Sequence, residues 1–77
     1  MDDREIAALF ETRAENAVQE LHVKYGRLCR HIAGNILDDP RDVEECVNDS
    51  LLAVWNRFPE DRPVQLSAYV SRITRMD

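Results

Sequence analysis

The chain has 77 residues, 44% hydrophobic and 32% charged, with two Gly, three Pro and a formal net charge of −5. That length accommodates one domain, residues 1–77, and excludes a large enzyme; a chain so short buries only about 60–65% of the surface its unfolded form exposes and is marginal alone. The balance of apolar and charged residues excludes disordered, collagen-like and low-complexity classes.

The charge is unevenly spread. Residues 1–20 carry two bases and six acids, residues 21–37 carry Lys24, Arg27 and Arg30 with no acid, residues 38–58 return to two bases and six acids, and residues 59–77 balance at three each. Two acidic blocks favour a basic protein surface as partner over a phosphate backbone. Cys29 and Cys46 fit neither a disulfide scaffold nor a CxxC zinc pattern. The acidic start MDDREIAALF lacks the basic n-region and apolar run of a signal peptide, and no segment reaches eighteen consecutive apolar residues. The expectation is a cytoplasmic protein with reduced thiols, no membrane association and no cofactor.

Apolar residues recur at helical spacing throughout, which predicts an all-α fold, a compact bundle of three to four helices. A short first helix starts after Asp2 or Asp3, either able to cap, and carries Ile6, Leu9 and Phe10 to about Thr12. A second runs from about Glu15 with Val18, Leu21, Tyr25, Leu28, Cys29, Ile32, Ile36 and Leu37 on one face, about five turns long. Gly26 and Gly34 weaken it by about 1 kcal/mol each without ending it.

Asp38-Asp39-Pro40 marks a stop and a restart, with Asp39 as cap and Pro40 in the first helical position. The third helix reaches about Phe58, and its inner stripe is Val43, Cys46, Val47, Ser50, Leu51, Val54, Trp55 and Phe58. Trp55 is expected to fill the bundle centre against Leu28 or Ile32 and the last helix. Pro59 to Pro63 reads as a loop, because a proline disfavours helix at the residue before it. A fourth helix begins near Gln65, turns Leu66, Tyr69, Val70 and Ile73 inward, and ends at Asp77 without Gly or Pro. It reads as a helix cut inside a longer one.

The outer face of the third helix lines up Glu45, Asn48, Asp49, Leu52 and Asn56 at spacings of three and four. A leucine among acids and amides, away from the core stripe, has the composition of a contact patch with an apolar centre and a polar rim. In this setting DDPRDVEECVNDSLLAVWNRF followed by LSAYVSRITR resembles region 2 of an extracytoplasmic-function (ECF) sigma factor, of the sigma-70 family of bacterial RNA polymerase subunits. YGRLCRHIAGNIL is similar to the family's preceding helix, and EIAALFETRAENAVQEL to its N-terminal one, so the likeness covers nearly the whole chain.

The resemblance implies that the third helix docks on the beta-prime clamp coiled coil of RNA polymerase core, with Glu45, Asn48 and Asp49 at the family's acidic and amide positions. Leu52 and Asn56 extend that patch. It also implies that the fourth helix opens the segment that separates promoter strands and reads the −10 element, with Tyr69, Arg72 and Arg75 matching its beginning. Promoter DNA is then a partner in the full-length context, and an anti-sigma factor a further partner. The departure is at Met76-Asp77, where family members continue with an Asn and a basic, aromatic-containing stretch. Most base-reading positions are therefore missing, and the chain is expected to hold polymerase better than DNA.

Two other readings remain open. One is a truncated sigma-like interaction module that self-associates as a homodimer through the Glu45 to Leu52 face and does not direct initiation. The other is a stand-alone DNA-binding domain, which the net charge disfavours. Catalysis is not expected: Ser50 falls on the buried stripe, Ser67 opens the last helix, and neither Asp38-Asp39 nor Glu44-Glu45 converges. His22 and Cys29 stand about 10.5 Å apart along one helix, too far to share a metal. His31 is expected to face solvent. Cys29 and Cys46 read as core residues that an antiparallel hairpin could bring near each other.

Overall fold

The structure, a computed structural model, describes residues 1–61, 63 and 65–76. Four helices follow in order, α1 (Asp3–Glu11), α2 (Ala17–Ile36), α3 (Pro40–Asp61) and α4 (Leu66–Met76), with no strand among the described residues. The all-α expectation holds.

Local chemistry accounts for the helix ends. Asp2 caps α1: its carboxylate accepts from the Glu5 amide at 2.9 Å while Glu5 accepts from the Asp2 amide, a reciprocal capping box. At the other end the Arg13 amide donates to Phe10 O at 3.2 Å and the Ala14 amide to Leu9 O at 2.9 Å, the paired bonds of a Schellman motif. The left-handed residue that this motif needs is Arg13, at φ 57°. A side chain in that region costs about 1–2 kcal/mol, and contacts described below offset it. The chain then turns through Ala14 to Asn16, so α2 starts two residues later than the apolar spacing suggests. Asp39 accepts from the Arg41 amide at 2.8 Å and Pro40 occupies the first helical position of α3, as read from the sequence.

The loop expected at Pro59 to Pro63 is corrected over its first half, because α3 continues through Pro59 and Glu60 to Asp61. Pro63 is outside any helix, and Arg62 lies outside the described residues. Pro59 has no amide hydrogen, so the carbonyl one turn back, on Trp55, loses its helical donor. Arg13 supplies the replacement: its Nη1 donates to Trp55 O at 2.5 Å. A donor from another element thus replaces the hydrogen bond that α3 loses at the proline.

The core forms where all four helices meet. Phe10 stacks on Phe58 with ring centroids 5.2 Å apart, and Phe58 meets the edge of Tyr69 at 6.5 Å. Ile6, Leu21, Val47, Leu51, Val54, Leu66, Val70 and Ile73 pack around this aromatic column. A smaller cluster of Ala33, Val43 and Cys46 closes the other end against Leu37. Ala17, Gly26 and Ala33 are buried too, which the search for large apolar side chains overlooked; small residues let α2 approach its neighbours closely.

Two expectations about individual side chains fail. Trp55 does not fill the bundle centre. It is half-buried at the rim, its ring 6.0 Å from that of Phe10 and covered by the Arg13 guanidinium at 3.7 Å. Ile36 is 60% exposed, because α2 ends there and has passed the edge of the bundle. Cys29 and Cys46 are buried free thiols, as expected, and both meet Thr74 of α4: its hydroxyl lies 3.4 Å from Cys29 Sγ, and its carbonyl 4.0 Å from Cys46 Sγ. Burial pushes the Cys29 thiol up from its ordinary value. The end of the chain at Asp77 lies outside the described residues.

Candidate functional site

The inner stripe of α3 sets what its other side presents. With Val43, Val47, Leu51, Val54 and Phe58 fixed in the core, Glu45, Asn48, Asp49, Leu52 and Asn56 all face solvent. Leu52, at 53% exposed, stands at the centre of the line. Its helical neighbours at three and four residues are Asn48, Asp49, Trp55 and Asn56, so three polar side chains and one aromatic ring surround it.

Charge on this face is unpaired among the described residues. The ion pairs there are Lys24 with Asp3 at 2.7 Å and Arg30 with Glu44 at 2.6 Å. Glu44 points toward α2, where Arg30 meets it with two hydrogen bonds and holds its carboxyl below the ordinary value. Glu45 and Asp49 have no such cation and line a shallow cleft of about 240 Å³ together with Asp42. The acidic block of residues 38–58 therefore divides: Glu44 serves the α2–α3 contact, and the others face outward.

The site extends beyond α3, onto residues that sequence reasoning passed over. On the far side of Leu52 a groove of about 320 Å³ is lined by Arg13, Glu15, Val18, Leu52 and Trp55. It adjoins a second groove of about 410 Å³ that shares Glu15 and Val18 and reaches Val23. Val23 is 74% exposed. An exposed valine in an otherwise amphipathic helix was the available signal. Gly26 allows the His22 ring, which lines the same groove, to lie flat along α2, since a Cβ there would sit 2.8 Å from His22 Cδ2.

On α4 the three expected residues separate. Arg72 and Arg75 are exposed, whereas Tyr69 is only 4% exposed. Its ring packs on Phe58 and its hydroxyl donates to the Asp61 carboxylate at 2.9 Å. Tyr69 is thus packed inward, as its place on the inner stripe of α4 predicts. Arg72 lies 5.6 Å over the ring, and Arg57, which sequence reasoning left out, reaches the Met76 sulfur at 4.0 Å. Burial and the Asp61 hydrogen bond push Tyr69 up to about 12, and burial with the Asp3 hydrogen bond does the same for Tyr25.

Both tyrosines ionise near 10 in an unfolded chain. Between pH 10 and 12 the unfolded state therefore sheds protons that the folded state keeps, and stability falls as pH rises. The expected result is a urea midpoint that declines steadily across that window. Tyr69→Phe should flatten the decline, and an unchanged slope in that variant would remove Tyr69 from the account.

No group of three or more His, Cys, Asp or Glu side chains among the described residues is placed to hold a metal ion. No described helix is long and apolar enough to cross a membrane. What the surface offers is an acidic line with an apolar centre on α3, a groove beside it, and a few arginines at the end of α4. Comparison with known proteins agrees with that geometry. The sequence model of Sigma-70 region 2 matches residues 21–76, which takes in the whole of α3 and α4 and most of α2. No curated protein and no solved structure matches the chain. With the match covering well over half of the residues, on a fold of the expected kind, the chain belongs to the sigma-70 region 2 family.

Proposed function

We propose that this domain is region 2 of a bacterial ECF sigma factor that works in the cytoplasm and docks on the beta-prime clamp coiled coil of RNA polymerase through Glu45, Asn48, Asp49, Leu52 and Asn56. Sigma-70 region 2 is the part of a sigma factor that binds polymerase and takes part in promoter recognition and melting, a binding role with no chemistry of its own. The observation that carries the docking reading is the outward line of α3: acids with no cation partner around a half-exposed leucine, on a helix whose other side is locked in the core. The acids raise the association rate and fix register on a basic surface, and Leu52 supplies desolvated contact.

Promoter contact falls to Arg72 and Arg75, in the context of the full-length protein. Single-stranded DNA binding needs exposed aromatic faces beside a basic groove. With Tyr69 packed inward, this domain offers charge without a platform, so it binds polymerase more strongly than DNA. An anti-sigma factor is a further partner in this reading. Self-association through that line places Glu45 and Asp49 of two copies opposite each other, which like charge opposes.

Calorimetric titration of the domain with the isolated clamp coiled coil tests the reading. Micromolar or tighter binding that weakens as salt rises from low to moderate is the expected result. No binding by a folded domain, or a stable homodimer in its place, overturns it.

A further inference from the structure

Resting on the polymerase-docking reading, we propose that the groove between α2 and α3, walled by Val18, Leu52 and Trp55, is an anchor pocket that receives one bulky apolar side chain from a basic helix of the partner. The walls are apolar and unsaturated: Leu52 is largely exposed, and Val18 and Trp55 are half-buried. At about 320 Å³ the groove is of the size at which binding pockets begin.

The groove is also preformed. The Trp55 ring is held by Phe10, 6.0 Å away, and by Arg13, whose guanidinium lies over the ring and donates to the Trp55 carbonyl. A pinned wall loses little freedom when a side chain enters, so more of the contact energy appears as affinity. Hot-spot pockets have this form: an aromatic wall, an apolar floor and a rim that excludes water.

The rim identifies the occupant's neighbours. Glu15 lines the mouth, and Asp49, Asn48 and Asn56 ring Leu52 on α3. None of these acids is paired with a cation among the described residues. The entering helix therefore carries Lys or Arg on either side of its apolar anchor. Arg13 keeps its positive charge while it lies over the indole and donates to the Trp55 carbonyl, so the basic residues of the entering helix face Glu15 and Asp49 and not the Arg13 end of the groove. Arg13, Glu15 and Val18 precede the residues 21–76 that the family model matches, so one wall of the groove comes from outside the matched segment.

Trp55 is the sole tryptophan, which makes the pocket observable. Titrating the isolated clamp coiled coil into the full chain should shift Trp55 emission to the blue and shield it from iodide quenching at saturation. Val18→Asn should weaken binding about tenfold while leaving its salt dependence unchanged, since the loss is apolar. Should that variant melt early, the emission and quenching of the unaltered chain decide the matter. Binding with Trp55 emission and quenching unchanged overturns the pocket and leaves the docking face standing. Absence of binding by the folded chain overturns the docking reading and the pocket with it.

Discussion

Phe58→Ala is expected to lower stability by about 3–5 kcal/mol, a large share of the about 5–10 kcal/mol that a domain of this size has in total. Phe58 is 1% exposed and touches three elements, stacked on Phe10 of α1 and set against the edge of Tyr69 of α4 from its own place on α3. Removing the ring leaves a cavity between helices that cannot close without moving one of them. Trp55→Ala removes a larger ring and should cost less, about 2 kcal/mol, because that ring sits partly exposed at the rim of the bundle. Urea unfolding of both variants checks the order. A Trp55 variant less stable than the Phe58 variant would place the centre of the core where the structure does not.

The second large effect concerns binding and should leave the fold alone. Leu52→Glu combined with Asp49→Lys reverses a charge and replaces the apolar centre of the α3 line, and is expected to weaken clamp binding by at least about 100-fold. Both side chains are exposed and neither takes part in a hydrogen bond or ion pair among the described residues, so unfolding free energy should stay within about 0.5 kcal/mol. Circular dichroism melting alongside the titration separates the two effects. A collapse in melting temperature would mean that the line belongs to the core, and retained affinity would move the docking surface elsewhere.

Much of this arrangement could be read from spacing alone. The inner stripe of α3 repeats at three and four, so its buried residues, and by exclusion the exposed line Glu45 to Asn56, follow from helical period; the Asp39-Pro40 restart follows from capping chemistry. Period says which side of a helix is buried and not what it meets. Trp55 shows the gap. It lies on the inner stripe, but its neighbours are set by Phe10 and by Arg13, 42 residues away in the chain. The same distant arginine supplies a donor to the carbonyl that Pro59 leaves without its helical partner, a contact that period does not show. Tyr69 was placed inward by its period, and the Phe58 ring and the Asp61 carboxylate hold it there. The groove beside α3 was illegible for a further reason, since its walls come from the α1–α2 turn, α2 and α3, and no single periodicity spans them.

The bond from Arg13 to the Trp55 carbonyl bears on how this sequence can drift over generations. Position 59 tolerates proline while position 13 provides a long cationic donor, and position 13 tolerates a left-handed backbone while that donor has a carbonyl and an indole to hold. Each residue is unfavourable on its own and acceptable beside the other. A descendant that replaces the proline by an ordinary residue restores the helical donor and frees position 13 to become glycine, which suits its backbone better. The reverse order, arginine lost first, passes through a protein with an unsatisfied carbonyl in α3. The two positions therefore constrain the sequence of changes open to each other.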